Sequence, residues 1–249
     1  MKKNCQIFRS AQNFGRGQTI NVSKYCKGFT LAEILITLVI IGVVAALTIP
    51  SVVVKYQKEQ IVVKLKKAYS ALYNAYRASI LEYGAAEKWD YSLSANDFYA
   101  KYLSPHLNDT ICKSNTGNCK SYKRRDTLNS SYSYYFTPNA ILSDGTYMSF
   151  GYDNGFQIYI DINGSNPPNT NGKDMFYIGI NNKSDYLNCK HFERFGFFCQ
   201  WCGACLEYGK SNLQKTRSIF KNGCSVNRAI NCGGLIEYDN WQIKDDYPW

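Results

Sequence analysis

From Ile34 to Val54 the chain carries no charged residue for 21 positions, ILITLVIIGVVAALTIPSVVV. At about 1.5 Å per residue, a helix of that length crosses a hydrocarbon core of about 30 Å, so the pattern predicts a membrane span. The sequence then changes to KYQKEQIVVKLKKAYSALYNAYRASILEYG, where Ile61, Leu65, Ala68, Tyr69, Leu72, Tyr76, Ile80 and Tyr83 recur at steps of three and four. Lys58, Lys64, Lys67, Asn74 and Arg77 fall largely elsewhere, so one apolar stripe runs along an amphipathic helix and faces a core. Gly84 is its expected stop. A single helix from Phe29 to about Tyr83 measures roughly 80 Å at about 1.5 Å per residue. Pro50 removes one backbone hydrogen bond inside the span, and with Gly42 it marks the weakest part of the helix, a candidate kink.

Beyond the helix the period shortens. A polar connection from Trp89 to Ser131 holds one short helical candidate, Ala95 to Leu103, and a loop with Cys112 and Cys119. Ser133 to Phe136, Ala140 to Leu142, Thr146 to Tyr152, Phe156 to Ile162 and Met175 to Ile180 then read as short strands rich in Tyr, Phe and Ile. Asp144-Gly145 and Asp153-Asn154-Gly155 are turn signals between them, which predicts an antiparallel meander. The fold class is α+β: a long N-terminal helix, transmembrane in its first half, packed on an antiparallel sheet, with a cysteine-rich C-terminal region. Ser211 to Lys221 is a further short helical candidate.

Charge sharpens the topology. The formal net charge is +10, but Lys2, Lys3, Arg9, Arg16, Lys24 and Lys27 lie in the first 28 residues with no acid beside them, which leaves +4 for residues 29–249. Positive charge ahead of a span holds that end in the cytoplasm and sends the chain after Val54 outward. The basic balance therefore belongs mostly to the N-terminal segment, and a nucleic-acid partner is not expected. That segment has no apolar core and no small-residue cleavage signal, so it is not an ordinary secretory signal.

The junction ahead of the span is specific. Lys27-Gly28-Phe29-Thr30-Leu31, with Glu33 as the fifth residue after Gly28, resembles the processing site of class III signal peptides, found in type IV prepilins and the pseudopilins of type II secretion. The resemblance implies cleavage between Gly28 and Phe29 by a prepilin peptidase and methylation of the new amino terminus on Phe29. It divides the chain into a leader, residues 1–28; a helix, residues 29–83, with 29–54 for membrane and assembly and 55–83 amphipathic; and a head, residues 84–249. It implies a single-pass inner-membrane protein with its head outside the cytoplasm, which then enters a pilus or pseudopilus with other pilin or pseudopilin subunits. Glu33 would direct that assembly by pairing with a neighbour's amino terminus. The alternative on the same scaffold is a minor pilin acting as a tip adhesin or as a module that binds DNA or a secreted substrate.

Eight cysteines follow the span: Cys112, Cys119, Cys189, Cys199, Cys202, Cys205, Cys224 and Cys232. In an oxidising compartment they favour disulfides over a zinc or redox site, although C-x-x-C-x-x-C at Cys199, Cys202 and Cys205, with Cys189, His191 or Cys224 in addition, has metal-ligand spacing. Eight cysteines allow 105 pairings and the sequence does not choose among them; the expected bridges are Cys112 to Cys119, whose seven-residue separation containing Gly117 suits a local bridge, and as a second candidate Cys224 to Cys232, leaving the other four to pair among themselves. The densest set of oxygen donors runs from Asp161 through Asn163 to Asp174, where Gly164 and Gly172 allow a wrapped loop. It lacks the EF-hand pattern, and an Asn/Gly/Pro turn with Asx bonds is the plainer reading. Resemblance to major pseudopilins, which carry a calcium loop in the head, adds Ca2+ as a candidate cofactor. His106 and His191 are the only histidines, and no nucleophile elbow or P-loop occurs, so the chain reads as a structural protein and not as an enzyme.

Overall fold

The computed structural model describes residues 5–12, 19–26, 29–130, 133–152, 155–180, 195–197 and 213–248. They form two compact units, residues 1–55 and 56–249.

In the first unit, β1 (Cys5–Gln12) and β2 (Thr19–Cys26) pair antiparallel, with Cys5 opposite Cys26 and Gln12 opposite Thr19. Helix α1 (Leu31–Tyr83) begins here and is 53 residues long, helical without interruption through Gly42 and Pro50. It is long and apolar enough to cross a membrane. The three hydroxyl side chains of its uncharged stretch are satisfied by the helix itself: Thr37 donates to the Ile34 carbonyl, Thr48 to Val44 and Ser51 to Thr48, each at 2.9 Å. A segment in hydrocarbon has no water for such groups, so internal bonding is what a span requires.

In the second unit the rest of α1 buries Leu65, Ala68, Leu72, Ala75, Tyr76 and Ser79, a three–four repeat. Ala75 and Ser79 fall on this face although neither is strongly apolar; the Ser79 hydroxyl is buried because it donates to the Tyr102 carbonyl. Tyr83, read as part of the stripe, is exposed at the helix end. Gly84 closes the helix as expected, at φ 79° with its N–H on the Ile80 carbonyl at 2.9 Å.

The main sheet is antiparallel and six-stranded, in the order β10 (Phe195–Phe197), β9 (Met175–Ile180), β8 (Phe156–Asp161), β7 (Tyr147–Tyr152), β6 (Ala140–Leu142) and β3 (Asp109–Ile111). Tyr69 and Tyr76 of α1 stack on Phe197 and Phe195 of β10 at ring separations of 5.0 and 5.2 Å. Helix α2 (Ala95–Tyr102), capped by Ser94, sets Phe98 on Phe156 and Tyr99 on Phe150 at 4.4 and 4.0 Å. The expected meander holds from β6 to β9, but the strand expected first in it lies outside. β5 (Ser133–Phe136) pairs with β4 (Tyr122–Arg125) in a separate two-stranded ribbon, and Pro138, which offers no N–H to a ladder, stands between β5 and β6. Helices α3 (Leu213–Asn222) and α4 (Cys232–Tyr238) complete the unit. Arg217 of α3 grips buried Asp239 at 2.7 Å and Asp246 at 2.8 Å, and so fastens the C-terminal tail.

Candidate functional site

At the start of α1, Thr30 and Glu33 bond reciprocally. Glu33 Oε2 accepts from the Thr30 N–H at 2.8 Å and from the Thr30 hydroxyl at 2.9 Å, while Thr30 Oγ1 accepts from the Glu33 N–H at 3.2 Å. This is a capping box, Thr at the cap and Glu three residues on, and it satisfies donors that the first turn of a helix leaves open. The T-x-x-E signal was present in the sequence but Thr30 was not read as a partner. Phe29 is 80% exposed, and the apolar side chains that follow, from Leu31 to Val54, are exposed along the helix. Gly42 has open space around its Cα, and Pro50 lies within the helix. Gly28 lies outside the described residues.

The loop from Asp161 to Asp174 is a second constellation. Both carboxylates are buried, Asp161 completely. Asp161 accepts from the Tyr122 hydroxyl at 2.8 Å and the Asn163 N–H at 3.2 Å; Asp174 accepts from the N–H groups of Asn169 and Thr170 at 2.8 and 2.7 Å. Burial and then the neighbouring charge of Asp174 push the Asp161 carboxyl up to about 8, and burial raises Asp174 as well. The Asn163 Oδ1 and Asn169 Oδ1 atoms are buried with no hydrogen-bond partner among the described residues. The Asn163 N–H bond to Asp161 is the Asx turn expected from the sequence; Tyr122, 39 residues away, could not be found from spacing.

Two carboxylates and two unpaired amide oxygens suit a hard cation in kind, though four such groups fall short of the six to eight oxygens that calcium takes. Among the described residues no three His, Cys, Asp or Glu side chains gather as metal ligands. The loop is braced from behind. A Cβ at Gly172, which has φ 80°, would lie 2.9 Å from Cys232 Sγ, and buried Tyr247 donates to the Gly172 carbonyl at 2.6 Å.

Cys112 is bridged to Cys119 and Cys224 to Cys232. Cys189, Cys199, Cys202, Cys205 and His191 lie outside the described residues. His106 Nε2 sits 3.3 Å from Glu82 Oε2 at the far end of α1.

The profile of a family of unknown function (DUF6613) matches residues 51–249, most of the chain. The chain belongs to that family. In this DUF6613 protein the profile of the prokaryotic N-terminal methylation motif matches residues 23–49, which takes in Lys27 to Glu33 and most of the span. That motif is the signature of the prepilin-type cleavage segment, and the protein is type IV pilin-like. No curated protein and no solved structure matches the chain.

Proposed function

We propose that this DUF6613 protein is a filament subunit of a type IV pilus or of a type II secretion system. A prepilin peptidase cleaves it between Gly28 and Phe29, Phe29 is methylated, and the subunits polymerise through residues 29–54. The observation that carries this reading is the exposed apolar length of α1, headed by a single carboxylate and covered as far as Ile49 by the methylation-motif profile. In a bilayer lipid covers those side chains; once the subunit leaves the bilayer only other apolar helices can, and an end-to-side stagger of identical helices grows an open filament. The head, outside the cytoplasm, is pinned by disulfides suited to that compartment. The loop between Asp161 and Asp174 is its proposed Ca2+ site, with Asn163 and Asn169 supplying amide oxygens.

The test is to isolate sheared surface or overproduced periplasmic filaments and sequence the amino terminus of this protein within them. A subunit beginning with N-methylated Phe29 is expected. A protein that keeps residues 1–28, or that never sediments with filaments, would overturn the reading.

A further inference from the structure

The positive charge that remains after the leader is not spread over the head. Residues 112–137 hold Lys113, Lys120, Lys123, Arg124 and Arg125 against one acid, Asp126, a net +4, whereas residues 84–249 as a whole net only +1. It folds as the Cys112–Cys119 loop and the β4–β5 ribbon, apart from the six-stranded sheet. Arg124 and Tyr122 turn inward: Arg124 meets Asp126 and the Tyr177 hydroxyl, and Tyr122 meets Asp161. The other face is different. Lys123 stands directly opposite Tyr135 in the ribbon register, and Arg125 follows two residues later on the same side.

Lys113, Lys120, Lys123 and Arg125 are exposed, and among the described residues their side chains make no ion pair or hydrogen bond. Tyr135 is 65% exposed, and neighbouring Tyr134 is 50% exposed with the Arg124 guanidinium 5.6 Å from its ring. Tyr134 shares the face of Arg124, which Asp126 neutralises, whereas Tyr135 stands beside Lys123, and a large exposed ring so placed has no role in a core. A flat ring flanked by cations is the arrangement that single-stranded nucleic acids use, bases stacking on the ring while Lys and Arg meet the phosphates. An acidic protein surface would use the cations and leave the rings without a partner.

We propose that the β4–β5 ribbon binds single-stranded nucleic acid, with Tyr135 as the stacking platform and Lys113, Lys120, Lys123 and Arg125 as phosphate contacts. The proposal goes beyond filament assembly and does not depend on it.

The test uses the full chain in a neutral detergent and a fluorescent oligothymidine, followed by anisotropy across a salt series. The leader carries cations of its own, so the readout is the difference between parent and variant at constant leader. Tyr135→Ala is expected to weaken binding about tenfold, the effect of losing one stacked base. Lys123→Glu with Arg125→Glu should weaken it further and flatten the logarithmic salt slope by about 0.7 per contact removed. Lys64→Glu, on the exposed face of α1, should change neither, and unchanged melting curves will show that the variants fold. Parental affinity in the Lys123→Glu/Arg125→Glu variant overturns the proposal. So does an unaffected Tyr135→Ala variant with full competition by alginate, which would make the ribbon a general polyanion surface.

Discussion

Glu33 and Thr30 satisfy one another at the head of α1, the carboxylate taking both the amide and the hydroxyl proton of Thr30. A carboxylate that enters hydrocarbon or an apolar helix bundle needs a partner, and no Lys or Arg lies between Phe29 and Val54. In the single chain the capping box meets that need. In a filament the proposed exchange is with the amino terminus of a neighbour, which axial stagger brings level with Glu33 and which fixes the register of subunits. The two roles separate by substitution, because Gln keeps a capping box and loses the charge. Glu33→Ala and Glu33→Gln should both be inserted and cleaved normally yet enter filaments poorly, with Glu33→Asp partly restored. Quantitative immunoblotting of sheared filaments against membranes checks this. Normal incorporation of Glu33→Gln would assign Glu33 to helix capping alone.

Processing depends on the residue ahead of the cut. A peptidase site that accepts glycine has no room for a branched side chain, so Gly28→Val should accumulate in the membrane with its leader attached. Intact-mass measurement of the membrane fraction should show the long form in the variant and the short form in the parent.

The two bridges close loops of nearly equal length, separations of 7 and 8, and loop entropy alone assigns each about 2.5 kcal/mol. Their surroundings differ. Cys224 and Cys232 are fully buried, with Cys232 against Gly172, whereas the Cys112–Cys119 loop is at the surface. Replacing Cys224 and Cys232 together with Ala should therefore lower the thermal midpoint clearly more than the same change at Cys112 and Cys119. Equal losses would mean that the packing around Cys232 contributes nothing.

The long helix was legible because two patterns follow one another without a break: an uncharged run as long as a bilayer, then a stripe at steps of three and four. Strands β7 to β9 were legible because β-branched and aromatic residues lie between Gly-containing turns. Helix α4 was not, since Cys-Gly-Gly reads as a breaker. Its glycines are there for packing: a Cβ at Gly233 would lie 2.3 Å from the Phe197 ring and one at Gly234 2.4 Å from Phe220. β4 and β10 were hidden for another reason. They are only four and three residues long, and their pairing partners rather than their own composition make them strands. The candidate loop was legible in its donors, Asp161, Asn163 and Asp174, while Tyr122 comes from a different strand and only folding brings it to Asp161.

The Asp161–Asp174 pair gives the last prediction, because two buried carboxylates, one acting on the charge of the other, are relieved by a proton or by a cation. Without a cation the sign is set by the raised native pKa. An unfolded aspartate has a pKa of about 3.9, so between that value and about 8 the native state binds a proton at Asp161 that the unfolded state does not. Stability should then fall as pH rises across this window, by at most about 1.4 kcal/mol per pH unit for each raised carboxyl, and level off above it. Below the window, the depressed carboxyls of Asp239 and Asp246, held down by Arg217 against the effect of burial at Asp239, act with the opposite sign. Calcium should compete with the proton: at pH 8.5 it should raise the thermal midpoint, and at pH 5 it should do little. Asp161→Asn keeps an oxygen for the Tyr122 hydroxyl and should flatten the pH dependence, while Asp174→Ala should abolish the calcium shift. Melting curves of the purified chain at pH 5, 7 and 8.5, with calcium and with chelator, distinguish the cases. A falling midpoint indifferent to calcium would leave the pair to its proton, and a midpoint flat across the window would show that neither carboxyl is raised.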